Sequence, residues 1–227
     1  MNHLVALQTH RAFKTPLKKI TRATVGSLLL ASVLTGCQTP VMSATTAKPT
    51  TPSTEHSNSS ASTQSIREQA LHIQRALASG NYAAITNDIH PTRGVRFSMY
   101  AYVRPASDKV FSRAQFSQYL QESKVKFTWG DWDGTGDLLV TPLPTYLETW
   151  IEGKKFNNAR VTVNQFESRG GMINNINEVY PNSDVVDFFY KGTDKYDGMD
   201  WRGMRLVFDT YQGKRYLVAI INDQWTV

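Results

Sequence analysis

The chain has 227 residues, with 25 Lys and Arg against 19 Asp and Glu, and a single cysteine, which excludes an internal disulfide framework. Its net charge of +6 is concentrated in the leading 36 residues, where Arg11, Lys14, Lys18, Lys19 and Arg22 stand without an acidic residue. The remaining 20 basic and 19 acidic residues leave +1, too little for the clustered basic footprint of a nucleic-acid binder.

The basic segment runs into the uncharged stretch from Val25 to Leu34, the order of a secretory signal. That stretch falls well short of the about 20 apolar residues a bilayer span needs, so an uncleaved membrane helix is the weaker reading. Leu34-Thr35-Gly36-Cys37 comes next and resembles the lipobox of bacterial lipoproteins. The resemblance implies a signal peptide over residues 1–36, diacylglycerol thioether-linked to Cys37, and acylation of the new amino terminus with a fatty acid such as palmitate. The membrane is then a partner through the lipid on Cys37, since several acyl chains hold a protein firmly where one gives marginal binding. Gln38 in place of an aspartate implies the outer membrane of a cell envelope rather than the inner one, on its periplasmic side or at the surface. Residues 37–65 are dominated by Ser, Thr, Pro and Ala, with little apolar surface to offset the entropy of ordering, and are expected to form a disordered tether.

Residues 66–227 carry the periodicities of one globular domain. Ile66, Ala70, Ile73 and Leu77 form the stripe of an amphipathic helix, which Gly80-Asn81 stops. Tyr82, Ile85 and Ile89 predict a short second helix ending at His90-Pro91. The pattern then changes period: Val95, Phe97, Met99, Ala101 and Val103 alternate with Arg96, Ser98, Tyr100 and Tyr102, as in a strand. Ser112 and Gln115 have the spacing of a capping box for a helix bearing Phe116 and Leu120. Thr141-Pro142 opens another, with Leu143, Leu147, Trp150 and Ile151 as its stripe. Strands are expected over 161–166, 184–190, 204–210 and 215–221, the last two joined by a hairpin turn at Tyr211-Gln-Gly-Lys214.

Helices first and strands after them make an α+β pattern, with N-terminal helices packed on an antiparallel sheet. The order of elements resembles the cystatin-like fold of nuclear transport factor 2 relatives, which implies a curved sheet wrapping the helices into a cone with a cavity at its mouth. His90-Pro-Thr-Arg-Gly-Val-Arg-Phe-Ser98, Tyr100-Ala-Tyr-Val103, Gly198-Met-Asp-Trp-Arg202 and Ile221-Asn-Asp-Gln-Trp225 are similar to segments of a group of uncharacterised bacterial lipoproteins. These motifs bear on fold; the superfamily hosts enzymes, binding modules and inert partners alike.

For chemistry, a cysteine nucleophile is excluded if Cys37 is lipidated, and His72 and His90 are the histidines within the domain. His72 is expected at an exposed or boundary position. His90 is a candidate ligand contact or base, weighed against a role in hydrogen-bonding a helix end. Asp131 to Asp137 places oxygens at the first, third, fifth and seventh positions of a calcium loop, but the twelfth is Pro142 rather than glutamate, so a Gly-rich turn between strands is expected and no metal. Asp194, Asp197 and Asp200 read as a solvated acidic turn. The candidate ligand site is Asp200, Trp201 and Arg202 entering one terminal strand, with Asp223 and Trp225 leaving the other: two aromatic walls and a few polar groups. The competing reading closes the core with the tryptophans and pairs Asp with Arg at its rim. Arg169-Gly-Gly-Met-Ile-Asn-Asn175 offers amides to an anion, or is a flexible turn. The expectation is a lipid-anchored envelope protein binding a small ligand or a protein partner, without cofactor or catalysis; the alternative is a small hydrolase or isomerase using an Asp or His in the cone.

Overall fold

A computed structural model describes residues 55–166 and 173–226. Cys37 with its leader, the tether up to residue 54, and residues 169–172 of the amide-rich loop lie outside the described residues. The chain is mixed α/β, with helices and a mostly antiparallel sheet.

Helix α1 spans Glu55–Ser79, so residues 55–65, expected as the end of a disordered tether, are helical ahead of the stripe that starts at Ile66. Ile66, Ala70, Ile73 and Leu77 are buried as the spacing requires. Gly80 ends the helix at φ 75°, a left-handed conformation in which glycine carries no Cβ penalty. The expected second helix is a single 3₁₀ turn, Tyr82–Ile85. It stops because a strand captures the following backbone: Leu217 N–H donates to Asp88 O at 2.7 Å and His90 N–H donates to Leu217 O at 2.9 Å.

Strand β1, Val95–Ser98, is also shorter than its alternation suggested. The Ser98 hydroxyl donates to Tyr100 O at 2.9 Å, folding the chain back, and residues 99–101 are buried consecutively rather than alternately. Strand β2, Lys109–Phe111, pairs with β1, and helix α2, Arg113–Gln121, follows with the capping box at Ser112 and Gln115 formed. Strands β3, Lys126–Asp131, and β4, Leu138–Pro142, make a separate hairpin around the Gly-rich turn. Between Thr128 and Gly130 its register shifts, so Trp129 is an extra residue and turns inward to stack on Tyr146 with ring centroids 3.8 Å apart. Pro142 closes β4 and caps the next helix rather than entering it; α3, Leu143–Tyr146, continues as a π-helical turn to Ile151, burying Leu143, Leu147, Trp150 and Ile151.

A 3₁₀ turn, Gly153–Phe156, leads to β5, Arg160–Val163, followed by the short α4, Ile176–Val179, and then β6, Asp184–Tyr190, β7, Arg202–Tyr211, and β8, Lys214–Gln224. The six-stranded sheet has the order β2-β1-β8-β7-β6-β5, with β1 parallel to β8 and the other neighbours antiparallel. Gln212 and Gly213 turn β7 into β8 with φ of 50° and 73°, the positive pair a tight hairpin needs.

One face of the sheet carries Phe97, Met204, Leu206, Phe208, Leu217 and Ile220 against α1 and α3. The other carries Val185, Val207, Val218, Ala219 and Ile221 against Val103, Ile176 and Tyr180. Two covered faces explain why β6 to β8 are nearly continuously apolar instead of alternating. Among the described residues, no helix is long and apolar enough to cross a membrane.

Candidate functional site

The chain leaves β1 at Ser98 and crosses the end of the sheet as a loop, residues 99–108, before entering β2. The loop is fixed at its start and at its middle. Trp150 Nε1–H donates to Met99 O at 3.0 Å, and the Asn175 side chain accepts from Val103 N–H at 2.8 Å while donating to Val103 O at 2.9 Å. Strand β3 approaches so closely that a Cβ on Gly130 would lie 3.0 Å from Met99 Sδ. Between loop and hairpin lies a partly enclosed pocket of about 230 Å³, lined among others by Ser98, Tyr100, Arg104, Asp108, Trp129 and Asp131. Arg104 Nη1 binds Asp131 Oδ1 at 2.8 Å beside it, with both side chains about half exposed, 51% and 46%. Exposed ion pairs of this kind contribute at most about 1 kcal/mol, so solvent or a ligand can displace the pair at little cost.

Asp108 is the buried acid of the pocket, its side chain 5% exposed. One oxygen accepts from Arg104 N–H at 2.9 Å, and Arg96 Nη1 stands 3.9 Å away. Burial raises the Asp108 pKa, opposed by the Arg104 backbone N–H, Arg96, the Ser98 hydroxyl and the Arg104 charge. The carboxyl therefore holds its proton more tightly than an ordinary aspartate, while remaining positioned to accept or donate a hydrogen bond.

Behind it, the Tyr146 hydroxyl is fully buried and its pKa is raised well above the phenolic value, first by desolvation and then by the Asp108 charge; Arg202 and the Asn222 amide act in the opposite sense. Asn222 lies close enough to favour the phenolate but outside hydrogen-bond geometry: among the described residues the Tyr146 hydroxyl and both Asn222 amide atoms meet no hydrogen-bond partner. The Tyr146 hydroxyl and the Asn222 amide lie side by side at this polar end of the core, where a small rotation pairs them with each other or with a buried water.

Of the residues singled out from sequence, Arg202 belongs to this region. Its Nη2 donates to Trp150 O, the guanidinium sits 5.7 Å over the Trp150 ring, and its pKa is lowered by burial, opposed by Glu152, Tyr146 and Tyr100. The expected grouping of Arg202 with Asp223 at one site is corrected by the pleat. Residues 202 and 205 face opposite sides of β7, and Asp223, opposite Gly203, shares the side of Arg205. Asp223 Oδ2 accordingly binds Arg205 Nη2 at 2.7 Å, with Asp187 Oδ1 3.1 Å from Arg205 Nε.

The two tryptophans are not brought together at one mouth. Trp201 is buried against the Phe189 ring at 6.1 Å, whereas Trp225 is 43% exposed. Asp200 is on the surface, where its carboxylate accepts from Thr193 N–H at 2.7 Å and from the Thr193 hydroxyl at 3.1 Å, closing the acidic turn; the backbone bond from Thr193 is the main cause of its lowered pKa.

His90 is structural. Its Nδ1 accepts from Thr92 N–H at 3.3 Å and Arg93 N–H at 3.0 Å, so the neutral ring carries its proton on Nε2. Burial, then Arg93 and Arg113, lowers its pKa. It holds a turn rather than a helix end, packed against Tyr211 and Tyr216. His72 is exposed, 3.7 Å from Asp88.

Sequence reasoning missed Asp108 and Tyr146. Asp108 follows Pro105-Ala-Ser107, a turn composition with no sign of burial, whereas Tyr146, three residues after Leu143 and four before Trp150, lies on the stripe of α3 and was legible there as a buried position. Ser98, Tyr100, Arg202 and Asn222, by contrast, all come from the four motifs singled out for resemblance, and the fold gathers them at one end of the sheet. Among the described residues, no group of three or more His, Cys, Asp or Glu side chains is arranged to hold a metal ion. Compared with models of protein families and with curated proteins, the chain gives no match.

Proposed function

We propose that this chain is a bacterial envelope lipoprotein, anchored through lipid on Cys37 at the outer membrane, whose cone-shaped domain of the nuclear transport factor 2 type binds a small polar ligand at the Asp108 pocket. The observation that carries the binding reading is the combination, at one end of the sheet, of a half-open pocket and the desolvated Asp108 carboxyl that lines it. The core itself is filled by Phe97, Phe116, Trp129 and Tyr146, so the ligand space is at the sheet's end rather than along a central cone. Helices laid across one face of the sheet support the cone assignment, and the apolar leader ending at Leu34-Thr-Gly-Cys37 supports the anchor.

Asp108 also favours a second reading, an isomerase or hydrolase with this carboxyl as general acid or base, because burial moves its pKa toward neutrality. One experiment addresses both. The lipidated protein in detergent is screened by thermal shift against polar envelope metabolites and peptidoglycan fragments, and hits are repeated with Asp108→Asn and Asn222→Ala. Binding expects a saturable rise in Tm that both substitutions reduce, with no chemical change in the ligand. Conversion of the ligand by the native protein, lost in Asp108→Asn while binding persists, establishes the enzyme reading instead. Hits unaffected by either substitution would remove the pocket from consideration.

A further inference from the structure

The Asp108 pocket is framed by charges of both signs. Arg104 and Lys109 stand with Asp108 and Asp131 around one opening of about 230 Å³. The turn that carries Arg104, Asp108 and Lys109 is held rigidly. Ser107 N–H and Asp108 N–H both donate to Arg104 O, at 3.0 and 2.9 Å, and Asp108 Oδ2 accepts from Arg104 N–H at 2.9 Å. Arg96 braces the same turn, donating through Nη1 to Pro105 O at 3.3 Å and through Nε to the Tyr180 hydroxyl at 3.1 Å.

Strand pairing aims the other groups. Lys109 stands opposite Phe97 in the β1–β2 ladder, so its side chain leaves the sheet on the face that Phe97 presents to the Trp129 ring, 5.8 Å away. It is half-buried there, and among the described residues no carboxylate lies within ion-pair distance of it. Asp131 stands opposite Leu138 in the β3–β4 hairpin, so an acid and an apolar side chain share one face of it. Leu138 is 64% exposed, and Tyr102, which also lines the pocket, is 47% exposed, so apolar surface is uncovered beside the charges.

The Arg104–Asp131 pair, at 2.8 Å, decides which ligand can enter. An anion that takes Arg104 strands Asp131, and a cation that takes Asp131 strands Arg104. Either exchange trades one weak ion pair for another and leaves a charge over. A molecule with an ammonium and a carboxylate on one carbon replaces both partners at once. Its carboxylate meets Arg104 and Lys109, its ammonium meets Asp131 and Asp108, and each contact is a charge-assisted hydrogen bond.

We infer that the pocket binds a free α-amino acid with an apolar side chain, and that this side chain covers Leu138 and Tyr102. The ligand class rests on the reading of the pocket as a binding site. The volume lies below the about 300 Å³ at which drug-sized sites begin, room for one amino acid rather than a peptide. In a peptide the two charges belong to different residues, which sets a free amino acid apart from a chain terminus.

The full chain in neutral detergent is titrated calorimetrically with L-leucine and D-leucine. The controls are isocaproate, which lacks the ammonium, isoamylamine, which lacks the carboxylate, and glycine, which lacks the apolar part. Saturable binding of at least one leucine enantiomer is expected, with each control weaker by at least about tenfold. Lys109→Ala should weaken leucine binding about tenfold without lowering the Tm of the ligand-free protein, and Lys109→Arg should restore it. Lys214→Ala, at the end of β8 remote from its pairing with β1, should leave binding unchanged. Equal binding of any control overturns the inference, as does native-like binding by Lys109→Ala or equal weakening by Lys214→Ala. Absence of leucine binding overturns it as well. If another polar ligand then binds and is lost in Asp108→Asn, the pocket stands and the amino-acid class alone falls; a screen with no Asp108-sensitive ligand removes both.

Discussion

At the scale of single residues, the buried ionisable groups decide how the protein responds to pH. Asp187 and Asp223 share Arg205, leaving two carboxylates around one guanidinium on the sheet face opposite α1. Desolvation raises the Asp187 pKa to about 6, with Arg205 opposing and Asp223 reinforcing the shift; desolvation raises Asp223 as well. The sign follows from linkage: between the ordinary value near 3.8 and about 6 the folded protein retains a proton that the unfolded chain has lost. Stability from this group is present below pH 3.8, falls as pH rises through that window and is level above it. Asp187→Asn should therefore flatten the pH dependence of urea stability between about pH 4 and 6, changing the difference from native by about 2 kcal/mol or less. An unchanged profile would mean that Asp187 is ionised throughout. His90 shows the same rule with the opposite charge: burial and two arginines keep its ring neutral, and the neutral Nδ1 is what the Thr92 and Arg93 amides need.

At the scale of elements, two glycines with similar backbone angles do different jobs. Gly80 has φ 75° and open space around its missing Cβ, whereas Gly94 has φ 70° and a Cβ there would sit 2.3 Å from Phe111 O. Gly80→Ala then carries only the left-handed penalty, about 1 kcal/mol. Gly94→Ala adds a clash with the backbone of β2 and should cost about 3 kcal/mol, read from urea midpoints of the two variants. Equal losses would show that β2 yields and that the first hairpin is not tightly seated. The capping box before α2 and the turn at Gln212-Gly213 were legible in sequence because each depends on residues within a few positions. The lengths of β1 and of the 3₁₀ turn after Gly80 were not. Both end where distant partners intervene: Leu217 takes the backbone at Asp88 and His90, and Trp150 and Asn175 hold the loop that follows Ser98.

At the scale of the molecule, the proposed lipid anchor is joined to a domain with a polar pocket at one end of its sheet. Cys37→Ala should abolish incorporation of radiolabelled palmitate and release the protein from the membrane fraction; persistent labelling would remove the lipobox from the account. The sequence by itself determined the features whose causes are local or compositional. These are the stripe of α1, the capping box of α2, the three closing strands with their hairpin, and the concentration of positive charge ahead of Cys37. It also singled out Arg202, which the fold places against Trp150. Only the tertiary structure decided what Arg202 faces, because partnership across a sheet depends on pleat and register, and these put Asp223 with Arg205. The same holds for the pocket: Asp108 becomes a buried acid only when β3 and the loop after β1 close over it. A charge spaced along a chain carries no sign of the solvent it will lose or the neighbours it will meet; folding supplies both.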